Sequence, residues 1–288
     1  MVDFIVVGPG KCGTSWLYGV IESASDIQES SVKETLFFTE FYSKGYDYYH
    51  SHFNNQSNDM IVGEVSNTYI STPGTAAKIF KYNKKVKIVS TVRNPIERTI
   101  SHYLWMKRNS KQVEGFSAEI RKPNNDLVEK SKYSQMLDEY YNYFPSAQIK
   151  IMIFDDLVKN EKNYSNCFLK FIGSNSVYRK VSSKHRLPAS KARSFILVKL
   201  YKKASKMARK YGLPSIVQKA KKSFLYDLAF KPVLNSDYPA ILKCDIDYLV
   251  NIYHADTIKL SKKINRDLTK EWFSDESINS IINKRSKK

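Results

Sequence analysis

Cysteine is scarce in this 288-residue sequence, with Cys12, Cys167 and Cys244 the only three. They are odd in number, far apart and without C-x-x-C spacing, which argues against a disulfide framework or a cysteine zinc site and fits a reducing compartment. Long apolar runs are missing as well. None approaches the ~18 consecutive apolar residues of a membrane span, and Asp3 stands where a signal peptide would carry basic residues. The expectation is a soluble, cytoplasmic protein. No internal repeat is present, and low complexity is confined to the Ser/Lys-rich C-terminal tip.

Acidic residues are absent from one long stretch. Between Glu161 and Asp227 there are 17 Lys or Arg and no Asp or Glu, so most of the net charge of +19 sits there and the rest of the chain is nearly balanced. A local block of this kind attracts polyanions. Residues 190–222 are therefore a candidate contact with an anionic membrane, which would place the protein peripherally there, or with an acidic polysaccharide. A solvated lysine face is the plainer reading. No DNA- or RNA-binding motif accompanies the charge, and no nucleic-acid partner is expected.

What is present suffices for a large core: 42% of the residues are hydrophobic. The buried-strand pattern Phe4–Val7 leads through a glycine loop into a helix from about Thr14 to Ser25. Met60–Val65 and Val86–Val92 read as further strands, the latter ended by Asn94-Pro95, where proline suits the first turn of a helix running to about Arg108. A helix from about Ser131 to Phe144 precedes a strand over Gln148–Phe154. Residues 160–173 read as helix, 174–190 as loop, Ala192–Tyr211 as a basic helix and Asp245–Ile264 as a final long helix. Alternating strands and helices predict an α/β fold: one P-loop-like domain over 1–288, its central, mostly parallel sheet flanked by helices, with the basic segment at about 190–225 as an insertion.

The stretch Gly8-Pro9-Gly10-Lys11-Cys12-Gly13-Thr14-Ser15-Trp16-Leu17-Tyr18 departs from the pattern GxxxxGK[ST], because its lysine lies inside the loop and Thr14 follows Gly13. A glycine turn from strand into helix presents backbone N–H groups to a tetrahedral anion, here from Gly13, Thr14, Ser15 and Trp16, with Gly8 and Gly10 permitting positive φ. A nucleotide triphosphatase needs an acidic magnesium ligand at a strand end, and Arg93 occupies that place after Val92. No metal is expected. Cations and amides alone suit a sulfuryl group, whose oxygens carry less charge than a phosphoryl group's.

These residues resemble the sulfotransferases that use 3′-phosphoadenosine 5′-phosphosulfate (PAPS). Lys11 to Tyr18 is similar to their 5′-phosphosulfate loop. Val92-Arg93-Asn94-Pro95-Ile96-Glu97-Arg98-Thr99-Ile100-Ser101 is similar to their 3′-phosphate motif. Ser31-Val32-Lys33-Glu34-Thr35-Leu36-Phe37-Phe38 and Gly63-Glu64-Val65-Ser66-Asn67-Thr68-Tyr69 resemble segments of the carbohydrate branch related to the heparan sulfate enzymes and their bacterial counterparts.

The resemblance implies PAPS as donor and an acceptor hydroxyl, most readily on a glycan. It implies Lys11 as the catalytic cation and Glu64 as the general base. Lys11, Cys12, Gly13, Thr14, Ser15 and Trp16 would form the phosphosulfate loop, and Arg93 with Ser101 the 3′-phosphate site. Lys33 is a second cation for the sulfate or the acceptor, and Lys184 with Arg186 match a late Lys-Gly-Arg loop in which His185 replaces the glycine. Two other readings stay open: a P-loop kinase or NTPase, revived by magnesium-dependent nucleotide binding, and a non-enzymatic protein that binds membranes or polyanions.

Overall fold

The computed structural model describes residues 1–53, 59–109, 112–181, 190–192, 200, 203–204, 230–232 and 239–286. They fall into two compact units, one made of Met1–Arg93 with Tyr133–Leu187 and the other of Asn94–Lys132 with Pro188–Lys288. Lys184, Arg186, and nearly all of the basic stretch 190–225 with its expected helix, lie outside the described residues.

The first unit is built on β1 (Phe4–Gly8), α1 (Thr14–Ser23), β2 (Ile27–Glu29), α2 (Gly45–His50), β3 (Ile61–Val65), α3 (Thr75–Tyr82) and β4 (Lys87–Val92). The strand Ile149–Ile153 completes it as β5. The sheet order is β2-β3-β1-β4-β5, and every pairing is parallel. Central position explains the composition of β1: a strand covered on both faces can be continuously apolar, and all five of its residues are buried. Four strands anticipated from hydrophobic runs are present with ends shifted by a residue or so. Strand β2, only Ile27–Glu29, is too short to carry a period. Its entry is fixed instead by Asp26, which accepts hydrogen bonds from the Ser174 and Ser176 hydroxyls and the Asn175 N–H.

Core packing around β1 sets one strict requirement. Phe4 pairs in register with Gly63 on β3 and meets Phe168 edge-on, with ring centroids 5.7 Å apart. A Cβ at Gly63 would lie 2.2 Å from the Phe4 ring, which is itself fully buried. Gly63→Ala is therefore expected to cost ~1–3 kcal/mol through overpacking, read as a lower unfolding midpoint in a thermal melt.

The second unit assembles around α4 (Pro95–Asn109). Asn94 caps it by accepting from the Ile96 N–H at 3.0 Å, while its amide donates to the Trp272 carbonyl. Ile96, Ile100 and Tyr103 pack with Ile246, Leu249 and Tyr253 of the long helix Lys243–Ile264. The first turn of that helix contains Asp245, which accepts from Ser117 and pairs with Arg121. Burial pushes the Asp245 carboxyl up, but the hydrogen bonds from Ser117, Arg121 and the Leu242 N–H outweigh it and hold the group below the ordinary range. A short antiparallel pair, Ser190–Ala192 with Phe230–Pro232, also belongs to this unit.

Candidate active site

Gly8 ends β1 at φ 104, Lys11 takes the left-handed φ of 75, and Gly13 caps α1 at φ 93. Left-handed residues between ordinary ones suit an anion nest, in which successive N–H groups turn toward one point at a helix N-terminus. Gly8 is irreplaceable for a second reason, since a Cβ there would lie 2.3 Å from the backbone oxygen of Asn67. Gly10, expected to supply positive φ, does not; Lys11 supplies it instead, and Gly10 lies against the Asn67 side chain.

Two of the residues expected in the loop turn inward. Cys12 is fully buried, its Sγ 3.7 Å from the Tyr133 hydroxyl. Trp16 donates its backbone N–H to the Gly13 carbonyl at 2.9 Å and its indole N–H to Ser165, and it stacks on Tyr178. Its N–H is thus used within α1, and its ring belongs to the core. Of the four N–H groups expected to meet an anion, this one already has a backbone acceptor, and those of Gly13, Thr14 and Ser15 lie before it.

Cations approach the same loop from two sides. Lys33, in the connection after β2, donates from Nζ to the Ser15 hydroxyl at 2.7 Å. Arg93, at the end of β4, reaches the Lys11 carbonyl at 3.5 Å and lays its guanidinium 4.6 Å from the centroid of the Phe154 ring. Phe154 also packs under Gly13, so one aromatic side chain from the end of β5 supports both the loop and the arginine. Ser101 lies in the second unit, half-buried on α4.

The carboxylates of these segments differ in their surroundings. Glu64 on β3 is 1% exposed and accepts hydrogen bonds from four hydroxyls: Thr35 at 2.7 Å, Tyr49 at 2.7 Å, Ser66 at 3.0 Å and Tyr69 at 3.2 Å. Burial pushes its carboxyl up by more than those bonds pull it down. Burial, with Glu64 next, also drives Tyr49 and Tyr69 well above the ordinary phenol range, which keeps both protonated as donors. A group so enclosed presents no lone pair to an incoming hydroxyl.

Glu34, half-buried at φ 66, is placed otherwise: its Oε1 accepts from the Asn67 amide at 2.6 Å, and Asn67 borders Gly8 and Gly10. In the sequence Glu34 stands out only through its adjacency to Lys33 within the segment Ser31–Phe38.

A loop that gathers amides and cations at the C-terminal edge of a parallel sheet suits a bound anion on a nucleotide-binding type of fold. The chain belongs to the sulfotransferase domain family, which matches residues 2–224. Membrane-associated sulfotransferase kil1 of Dictyostelium discoideum is 34% identical over 114 residues, which are 37% of this chain and 24% of that protein. Mouse heparan sulfate glucosamine 3-O-sulfotransferase 5 is 28% identical over 167 residues, 54% of this chain and 48% of that one. The chain thus spans about half or less of these curated relatives. The crystal structure of a sulfotransferase from Alicyclobacillus acidocaldarius superposes with a TM-score of 0.56 at 21% identity, covering 76% of this chain and 96% of that one; it shares the fold. Among the described residues no helix is long and apolar enough to cross a membrane, and no group of three or more His, Cys, Asp or Glu could hold a metal ion.

Proposed function

We propose that the protein transfers the sulfuryl group of PAPS to a hydroxyl of a carbohydrate. The observation that carries this reading is the 2.7 Å contact of Lys33 with Ser15, which brings a second lysine from a distant segment to a loop that already contains Lys11. Two lysines and a fan of amides suit an anion handled without a metal. PAPS, when bound, supplies the sulfuryl group and leaves as 3′-phosphoadenosine 5′-phosphate.

Each step has a residue with the matching chemistry. The N–H groups of Gly13, Thr14 and Ser15 hold the 5′ anion, with the Thr14 and Ser15 hydroxyls beside them. Lys11 offsets charge as it develops on the departing phosphate oxygen, and Lys33 does so at the sulfuryl oxygens. Arg93, ordered on Phe154, and Ser101 are suited by their sequence spacing to the 3′-phosphate. Lys184 and Arg186 keep a supporting role at that phosphate in this reading. Glu34, half-buried and held by Asn67, takes the acceptor's proton, a role first expected of the enclosed Glu64.

Relatives that act on heparan sulfate support a glycan acceptor, and the membrane-associated relative supports peripheral contact through residues 190–222. Calorimetry tests the donor: 3′-phosphoadenosine 5′-phosphate should bind in EDTA, and more tightly than ATP with magnesium. Binding that requires magnesium and ignores the 3′-phosphate would favour a kinase or NTPase instead.

A further inference from the structure

We propose that Glu64 is a positioning residue: its carboxylate fixes Thr35 and thereby sets the two preceding residues, Lys33 and Glu34, against the anion loop. The inference rests on the donor-side reading of Lys33 given above. It starts from the backbone of this segment, where Glu34 (φ 66) and Leu36 (φ 57) both sit in the left-handed region without being glycine. Each such residue costs ~1–3 kcal/mol and persists only where the surroundings over-determine it.

The surroundings do so through β3. The Glu34 N–H donates to the Val65 carbonyl at 2.9 Å, and the Thr35 hydroxyl donates to Glu64 at 2.7 Å. One rung from the backbone and one from a side chain, both on the same strand, leave the segment no alternative path. Thr35 is 3% exposed, and its Oγ1 also accepts from the Phe37 N–H at 3.3 Å, so the hydroxyl joins Glu64 to the turn that follows. Tyr69 closes the arrangement by donating to Glu64 while accepting from the Phe38 N–H at 3.3 Å. Glu64 therefore organises residues 33–38 from beneath, and Lys33 and Glu34 project from the part so held.

Charge is central to this function. Glu64 accepts four hydroxyl hydrogen bonds, and no Lys or Arg among the described residues pairs with it. Buried charge of this sort is expensive, and a neutral side chain of similar shape would fill the space without that cost. What a neutral group does not provide is an acceptor able to hold four donors at once.

A double-variant cycle on donor binding tests this without any acceptor. Calorimetry should show PAPS binding weakened roughly five-fold by Thr35→Val and by Lys33→Ala, with the double variant no weaker than Lys33→Ala alone, and Thr35→Ser restored to the parent value. Thermal melts accompany each variant. Full PAPS affinity in Thr35→Val, losses that multiply in the double variant, or a fall in melting temperature alone would overturn the positioning role. Unchanged affinity in Lys33→Ala, or no PAPS binding by the parent protein, would overturn the donor-side reading and this inference with it.

Discussion

Lys11→Ala is expected to lower the turnover of sulfuryl transfer about 10²- to 10³-fold, the usual effect of removing one electrostatic group from a transition state. Its physical basis is the placement of the lysine within the loop. Lys11 stands at φ 75, between a strand end at Gly8 and a helix cap at Gly13, so its side chain leaves from inside the turn that presents the amides. Alanine has the same Cβ and meets the same penalty at positive φ, so the backbone of the loop keeps its shape while the ammonium and its stem are removed. Stopped-flow or steady-state assay of 3′-phosphoadenosine 5′-phosphate release would show a fall in kcat larger than any change in KM for PAPS. Turnover within two-fold of the parent protein would remove Lys11 from the mechanism.

Glu34→Gln is the second large effect. Loss of a general base costs about 10²- to 10⁴-fold. Glutamine keeps the length of the side chain and can still accept from the Asn67 amide, which stands 2.6 Å from Oε1, so the segment should fold unchanged. The expected result is near-complete loss of kcat with donor affinity retained and the thermal midpoint unmoved. A Glu34→Gln protein that still turns over at half the parent rate would return the base to Glu64, whose enclosure by Thr35, Tyr49, Ser66 and Tyr69 would then have to open during the reaction.

The sheet could be read from sequence because a strand buried on both faces leaves a continuous apolar run, as at Phe4–Val7 and Val86–Val92. The loop could be read because glycines between a strand and a helix mark a tight turn with exposed amides, and because the displaced lysine at position 11 matched a known family. Strand β2 escaped because three residues held by Asp26 and a distant serine-rich turn show no period. The contacts of the Trp16 ring were equally illegible. Its partners Ser165 and Tyr178 lie far along the chain, and local spacing carries no trace of them.

The two carboxylates show the limit most clearly. Glu34 and Glu64 both sit in family-like segments, and nothing local says which is enclosed. Enclosure depends on Tyr49 of α2 and on Thr35 and Tyr69, which come together only once the chain has crossed from β2 to β3. Burial is a tertiary property, so the chemistry of a carboxylate is too.

The strand order has a consequence for how such a protein could diversify. Inner strands β1 and β4 end at the anion loop and at Arg93, and their register is locked by fully buried apolar side chains. The long connection between β2 and β3 carries Lys33, Glu34 and a succession of aromatic residues toward the outer side of the sheet. Apart from residues 33–38 and Tyr49, which are tied to β3, substitutions and insertions in that connection can therefore accumulate without disturbing β1 and β4. Lineages built on this plan would keep one inherited half and remodel the other, changing what receives the group more readily than what gives it.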